Sequence, residues 1–227
     1  MSSVPPPPDV PPPGPPPSRP PTGGSSPDAG AALSYGWKKF QQHVGPLLLI
    51  ILIPIAVQIV INLIGQFVLE GVFGIVFLSV VGTLLNLMLA IGIFNAGLMI
   101  TAGQVPDVAK AFSTDRWGEW IVFSFVFGLF VGVGALFCGV GALVVIAFWG
   151  LAPFYFLDQG MGLGEAFRAS LAKTRSTSGL PLALALTALV GVLGVIACYI
   201  GVFVTMPIAY VGCAYLYRVA NNQPVAA

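Results

Sequence analysis

Charge is what this sequence has least of. Its 227 residues carry nine Lys and Arg against eight Asp and Glu, 7% of the chain, where a soluble domain carries roughly 25%. Hydrophobic residues make up 57% and the mean hydropathy is +0.94. A soluble fold of this length could not hide that much apolar surface, so the composition is that of an integral membrane protein. A net charge of +1 excludes a basic nucleic-acid binder. Three cysteines are too few for a disulfide scaffold. The single histidine, His43, excludes a His-Glu-x-x-His zinc site and any multi-histidine metal centre. There is no Gly-x-x-x-x-Gly-Lys-Ser/Thr phosphate loop, no Gly-x-Ser-x-Gly elbow and no carboxylate pair inside an apolar run. No catalytic residue, cofactor or metal ligand is therefore assigned.

What is present is unevenly distributed. Residues 1–30 hold 13 of the 20 prolines and no aromatic residue. Such a stretch cannot bury enough surface to offset the entropy of ordering it, so a disordered, polyproline II-biased tail is expected. It lacks the basic start and apolar run of a signal peptide and is expected to stay on the chain. Its overlapping Pro-x-x-P frames suit a protein partner with an aromatic groove, or serve as a solvated spacer. Thr22, Ser25 and Ser26 are possible phosphate acceptors there.

From residue 31 to 218 the chain is apolar with short charged interruptions. Runs free of Lys, Arg, Asp and Glu extend over 40–69, 71–106, 120–157 and 176–217. About 20 helical residues cross a hydrocarbon core of roughly 30 Å, so the last two runs each hold two spans with glycine-assisted turns near Gly139 and Gly201. The second run fits either one long tilted span or two short ones. Charge decides: with one span there, all nine Lys and Arg fall on the side of the amino terminus, and two would put the later ones outside. The expectation is an all-α membrane domain of six spans, near 46–67, 76–101, 120–138, 141–157, 180–197 and 200–217, in the inner membrane. Both ends are then cytoplasmic, with a short tail at 219–227.

Three amphipathic segments precede pairs of spans. In the first, Leu33, Trp37, Phe40 and Val44 share a helical face while Lys38 and Lys39 lie elsewhere on the wheel. In the third, Phe167, Ser170, Leu171 and Thr174 form the less polar face and Arg168, Lys173 and Arg175 point to water or headgroups. Asp107 to Trp117 is a shorter version. The pattern predicts a unit of interfacial helix plus helical hairpin used three times. Lys38, Lys39, Arg168, Lys173 and Arg175 are the candidate contacts to anionic lipid headgroups. Membrane anchoring without headgroup recognition is the plainer alternative.

Inside the spans, Gln58, Asn62 and Gln66 recur at four and form one stripe, and Ser79, Thr83 and Asn86, spaced four and three, form another. Polar groups in lipid need partners, so both stripes are expected to face inward. Gln58, Asn62 and Asn86 would line a polar path for a solute, or simply bond helix to helix. Gly128 and Gly132, and Ala183, Thr187 and Gly191, allow close helix approach. Pro54, Pro153 and Pro207 are expected to kink their spans. Asp158 is expected to cap a helix or pair with Arg168 or Lys173. Cys138 and Cys198 both fall near outer turns and could be bridged, whereas Cys213 reads as packing.

The stretch Pro153-Phe154-Tyr155-Phe156-Leu157-Asp158-Gln159-Gly160, then Glu165-Ala166-Phe167-Arg168-Ala169-Ser170, a cationic segment and a new apolar run, resembles a recurring bacterial pattern. It is similar to the membrane domain in front of glycerophosphoryl diester phosphodiesterases and to proline-rich integral membrane proteins of actinobacteria. The resemblance covers about residues 31–218 and implies a six-helix membrane domain. The phosphodiesterase catalytic domain has no counterpart in this sequence. The expected role is a non-enzymatic accessory or scaffold protein of the cell envelope. A small-solute or lipid transporter using the polar stripes is the alternative.

Overall fold

The computed structural model describes residues 27–68, 72–137, 139–196 and 201–227. The proline-rich stretch up to residue 26, Cys138, Cys198 and the side chain of Gln66 lie outside the described residues, and with them the tail and disulfide expectations. Every regular element described is helical.

Helix α1 (Ala29–Gln42) starts where the Asp28 carboxylate accepts from the backbone N–H groups of Gly30 and Ala31 at 3.1 Å, an N-cap that satisfies two otherwise orphan donors. Helix α1 therefore starts two residues before position 31. Then follow α2 (Val44–Val68), α3 (Val72–Leu89), α4 (Ile91–Thr101) and the single turn α5 (Val108–Ala111). After these come α6 (Trp117–Ala135), α7 (Val140–Trp149), α8 (Ala152–Asp158), α9 (Leu163–Ser176), α10 (Leu180–Ile196) and α11 (Val202–Ala220).

Among the described residues, five helices are long and apolar enough to cross a membrane: Val44–Gly65, Val76–Thr101, Trp117–Ala135, Val140–Asp158 and Val202–Ala220. The second run thus forms one long span, α3 continuing into α4 through a break at Ala90. A sixth span is counted only if α9 and α10 are taken together, and these two meet at 111°. Among the described residues the protein is all-helical, with the helices of a multi-pass membrane protein.

Prolines act differently from one span to the next. Pro54 and Pro207 lie within α2 and α11, which continue past them. Pro153 stands in the first turn of α8, just after the break at Gly150 and Leu151. A proline ring clashes with the carbonyl four residues earlier and cannot donate to it, which accounts for the interruption between α7 and α8.

The packed core sits at one end of the helices. Phe94, Trp120, Phe123, Leu151, Phe154, Phe156, Leu184 and Tyr217 form its main cluster. Phe94 is the hub, with edge-on rings of Tyr210 at 5.0 Å, Phe154 at 5.4 Å and Trp120 at 6.0 Å. Leu47, Ile50, Ile100, Ile208 and Val211 form a second cluster beside it. Towards the other end Leu63, Phe77, Leu129 and Val192 are exposed, as is Phe125 on the outer face of α6. That surface is costly in water but not in hydrocarbon, where the surrounding chains are as apolar as the side chains.

Close backbone approach is local. A Cβ at Gly134 would lie 2.7 Å from the Ala142 nitrogen, and one at Gly141 would lie 2.5 Å from the Gly134 oxygen, so α6 meets α7 there through glycine alone. The approach expected at Gly132 does not occur: its Cβ position is open, and that of Gly128 meets only the Leu87 side chain at 3.5 Å. The Ala183, Thr187 and Gly191 stripe is buried against α11, where Cβ positions at Gly191 and Gly212 approach Ala209 and Thr187 within 3.1–3.2 Å.

Candidate functional site

The amides expected to line a path do not converge. Gln58 is half-buried, and its Oε1 accepts from Asn86 Nδ2 at 3.5 Å between α2 and α3. Asn62 and Asn86 are both exposed, on the apolar outer surface rather than facing inward. Thr83 donates within its own helix, to the Ser79 carbonyl at 2.7 Å. Helices α2 and α3 bury little along their length, and α3 also packs on α6. Asn95 lies elsewhere and donates to the Ala111 carbonyl at 2.9 Å. A separate apolar cavity of about 160 Å³ is lined by Phe94, Phe127, Phe154, Met206, Tyr210 and Cys213 among others, and none of the stripe amides reaches it.

The headgroup candidates divide into two kinds. Lys38, Arg168 and Arg175 are exposed and Lys173 is half-buried. The buried face of α9 is Ala166, Ser170 and Thr174, with Phe167 and Leu171 half-buried beside it. Both hydroxyls on that face reach one acceptor. Ser170 Oγ donates to the Phe148 carbonyl at 2.9 Å, and Thr174 Oγ1 lies 3.2 Å from it. Phe148 sits just before the break at Gly150, where the regular helical acceptor pattern ends, so α9 supplies hydroxyl donors to a carbonyl at the break.

Lys39 is the exception. It is only 6% exposed, and its ammonium donates to the Ala227 oxygen at 2.5 Å and stands 5.6 Å from the Tyr35 ring centroid. Burial, and then the charge of Lys38, push its pKa down. The reason for its burial is the side of α1 that packs. The buried positions are Ala32, Gly36, Lys39 and Phe40, so of the Leu33, Trp37, Phe40 and Val44 face Phe40 alone is buried within the protein. Gly36 crosses α11 so closely that a Cβ there would overlap the Ile208 carbonyl oxygen. Small residues dock α1 on α11, and Trp37 and Val44 remain exposed at 48% and 38%.

Asp158 pairs with neither Arg168 nor Lys173. Its Oδ2 accepts from the Tyr217 hydroxyl at 2.8 Å and from Gln223 Nε2 at 3.5 Å. Gln159 Nε2 donates to the same Tyr217 oxygen at 2.9 Å, and Tyr155 donates to Asn221 Oδ1 at 2.8 Å. The end of α8 is thereby tied to the end of α11. The one ion pair among the described residues is Arg116 with Glu119, at the start of α6. The guanidinium also lies over the Phe156 ring at 4.7 Å. Among the described residues no three of His, Cys, Asp and Glu come together as metal ligands would.

A further group had no signature in the sequence. Residues after Asn221 turn back through Asn222, whose φ is 54°, and lie across α1 and α4. The Ala226 N–H donates to the Thr101 carbonyl at 3.0 Å, and Tyr35 donates to the Ala226 oxygen at 3.1 Å. Arg218 donates through Nε to Thr101 Oγ1 at 2.8 Å and through Nη2 to the Leu98 carbonyl at 3.4 Å. Burial raises the Tyr35 pKa to about 12, against the pull of Arg218. No family model, curated protein or solved structure matches this chain.

Proposed function

We propose that this is a non-enzymatic accessory or scaffold protein of the cell envelope, held in the inner membrane with both ends cytoplasmic. It works through its cationic amphipathic helices and its proline-rich tail. The observation that carries the reading is α9. It is amphipathic, turns 111° from α10, buries Ala166, Ser170 and Thr174, and leaves Arg168 and Arg175 exposed without a carboxylate partner. A helix of that kind lies in the plane of an interface, with its cations among anionic headgroups. Each cation near such a surface contributes about 1 kcal/mol. The gathering of the basic segments at the core end is what the positive-inside rule expects of a cytoplasmic face.

Lys38, Arg168, Lys173 and Arg175 form the headgroup belt in this proposal, and α1, α5 and α9 are its three interfacial segments. The resemblance to phosphodiesterase-associated membrane domains is part of the same proposal. The polar-path alternative is weaker because Asn62 and Asn86 are exposed and Gln58 bonds across to Asn86.

The test is a pull-down from native membranes in mild detergent, comparing the full chain with a version lacking residues 1–26. That cut leaves the Asp28 cap in place. Partners that co-purify only with the full chain support the scaffold reading. Recovery of the protein alone in both forms, with solute uptake into liposomes that Asn62→Leu abolishes, would replace it by the transporter reading.

A further inference from the structure

Gln58 and Asn86 put two carboxamides side by side on the outer surface of the α2 and α3 pair. Asn86 is exposed and Gln58 half-buried. At a rise of about 1.5 Å per residue, Gln58 lies about 10 Å inside the end of its span at Gly65. Asn86 lies about 15 Å inside the end of its own span at Val76. Both amides therefore stand in hydrocarbon, where no water replaces a missing partner.

Their mutual bond, from Asn86 Nδ2 to Gln58 Oε1 at 3.5 Å, uses only part of what they offer. Each carboxamide has two N–H groups and an oxygen with two lone pairs. Gln58 Nε2 and Asn86 Oδ1 make no hydrogen bond among the described residues. Gly82 sets the place of the pair. A Cβ there would come within 3.2 Å of Gln58 Nε2 and 3.3 Å of its Oε1, so the Gln58 amide lies against bare α3 backbone. Thr83, also exposed, has its hydroxyl spent on the Ser79 carbonyl. Being small, it lets another helix approach without stranding a further donor.

The two unmet groups are a donor and an acceptor. Turning both amides over exchanges their roles and again leaves one of each. Such a surface is complementary to itself. Copies of one membrane protein share one orientation in the bilayer, so a two-fold axis along the membrane normal relates two of them. That rotation sets Gln58 of each copy opposite Asn86 of the other. It also keeps them at one depth, because the two amides are neighbours across α2 and α3.

We propose that the protein pairs with a second copy of itself through the Gln58 and Asn86 face of α2 and α3. Gln58 Nε2 donates to Oδ1 of Asn86 of the partner subunit, and the reciprocal bond closes a ring of four amides. Pairing is independent of the scaffold reading. It gives one unit two proline-rich tails and two sets of cationic helices, which raises avidity for a repeated partner.

The experiment reconstitutes the full chain, labelled with donor and acceptor dyes, in phosphatidylcholine liposomes over a range of protein-to-lipid ratios. Energy transfer between copies reads pairing. The parent is expected to pair as the ratio rises. Gln58→Leu combined with Asn86→Leu is expected to need about tenfold more protein per lipid for the same transfer. The single variants make the decisive comparison. Gln58→Leu keeps only Asn86, and Asn86→Leu keeps only Gln58. Neither retains a Gln58 to Asn86 contact with its own kind, but a mixed pair retains one. Transfer between the two variants is therefore expected to exceed transfer within either alone. A misfolded variant would gain nothing on mixing.

A parent that stays unpaired at every ratio overturns the proposal and leaves this face to lipid or to a different chain. Pairing unchanged in the double variant overturns it too. So does a mixture that pairs no better than its components.

Discussion

At the scale of single residues, Gly36 and His43 make the sharpest claims. The Cβ of an alanine at Gly36 would run into the Ile208 carbonyl, a backbone atom that cannot swing aside. Gly36→Ala is expected to cost about 1–3 kcal/mol, the usual range for overpacking, seen as a lower thermal midpoint in detergent. Gly45→Ala, where nothing lies within 4 Å of the added carbon, should be neutral or slightly stabilising. Equal losses in the two would mean that α1 does not dock on α11.

His43, at the end of α1, has its pKa lowered by burial and then by Lys39. The folded state therefore binds its proton less well than the unfolded chain. Its neutral form favours folding above its ordinary value of 6.5, and that contribution fades as pH falls through the lower folded pKa. A melt series from pH 7.5 to pH 5 should show the midpoint falling, and His43→Gln should flatten that slope.

Among elements, broken spans are repaired from outside by side chains. The Leu87 carbonyl, just before the Ala90 break, accepts from Trp120 Nε1 at 3.1 Å. The Phe148 carbonyl, before the Gly150 break, takes the α9 hydroxyls. Ser170→Ala with Thr174→Val should therefore loosen α9 from α7, at about 0.6 kcal/mol per bond lost. Faster amide exchange confined to residues 163–176 would report it, and an unchanged exchange rate would deny α9 that anchor.

Sequence reasoning found five of its six spans among the described helices, the one near 180–197 excepted, because freedom from charge over about 20 residues is a local property. It found the interruption at Pro153 for the same reason, since the clash is built into the residue. It could not find the Ala90 break, which has no proline. It also gave no sign of which side of α1 packs on α11. Periodicity marks where apolar groups gather, but Ala32 and Gly36 pack by being small, and what they pack on lies some 170–180 positions away in the chain. Asp158 failed likewise. The nearest cations in sequence were Arg168 and Lys173, whereas the partner, Tyr217, comes from the last helix.

For the whole molecule, the asymmetry of the core sets where substitutions hurt. Phe154 is fully buried at the packed end, while Phe125 is 54% exposed on the lipid-type surface. Phe154→Ala is expected to cost about 3–5 kcal/mol, as large-to-small core changes do, and Phe125→Ala well under about 1 kcal/mol, with no cavity to create. Thermal midpoints in one detergent would compare them directly. Similar losses at both sites would mean that the apolar surface is covered, by a second copy or another chain.

The docking of α1 onto α11 also fixes an order of events on the ribosome. The α1 segment is made before any span, and α11 after all the others. The α1 surface bearing Ala32 and Gly36 therefore has no binding partner while the intervening helices enter the bilayer one after another. Closure of the bundle is a last step, made only when Ile208 and Gly212 have been synthesised. A nascent chain stalled before residue 202 should be fully inserted and yet cleaved readily within 29–42 by added protease. Release of the complete chain should make that segment resistant.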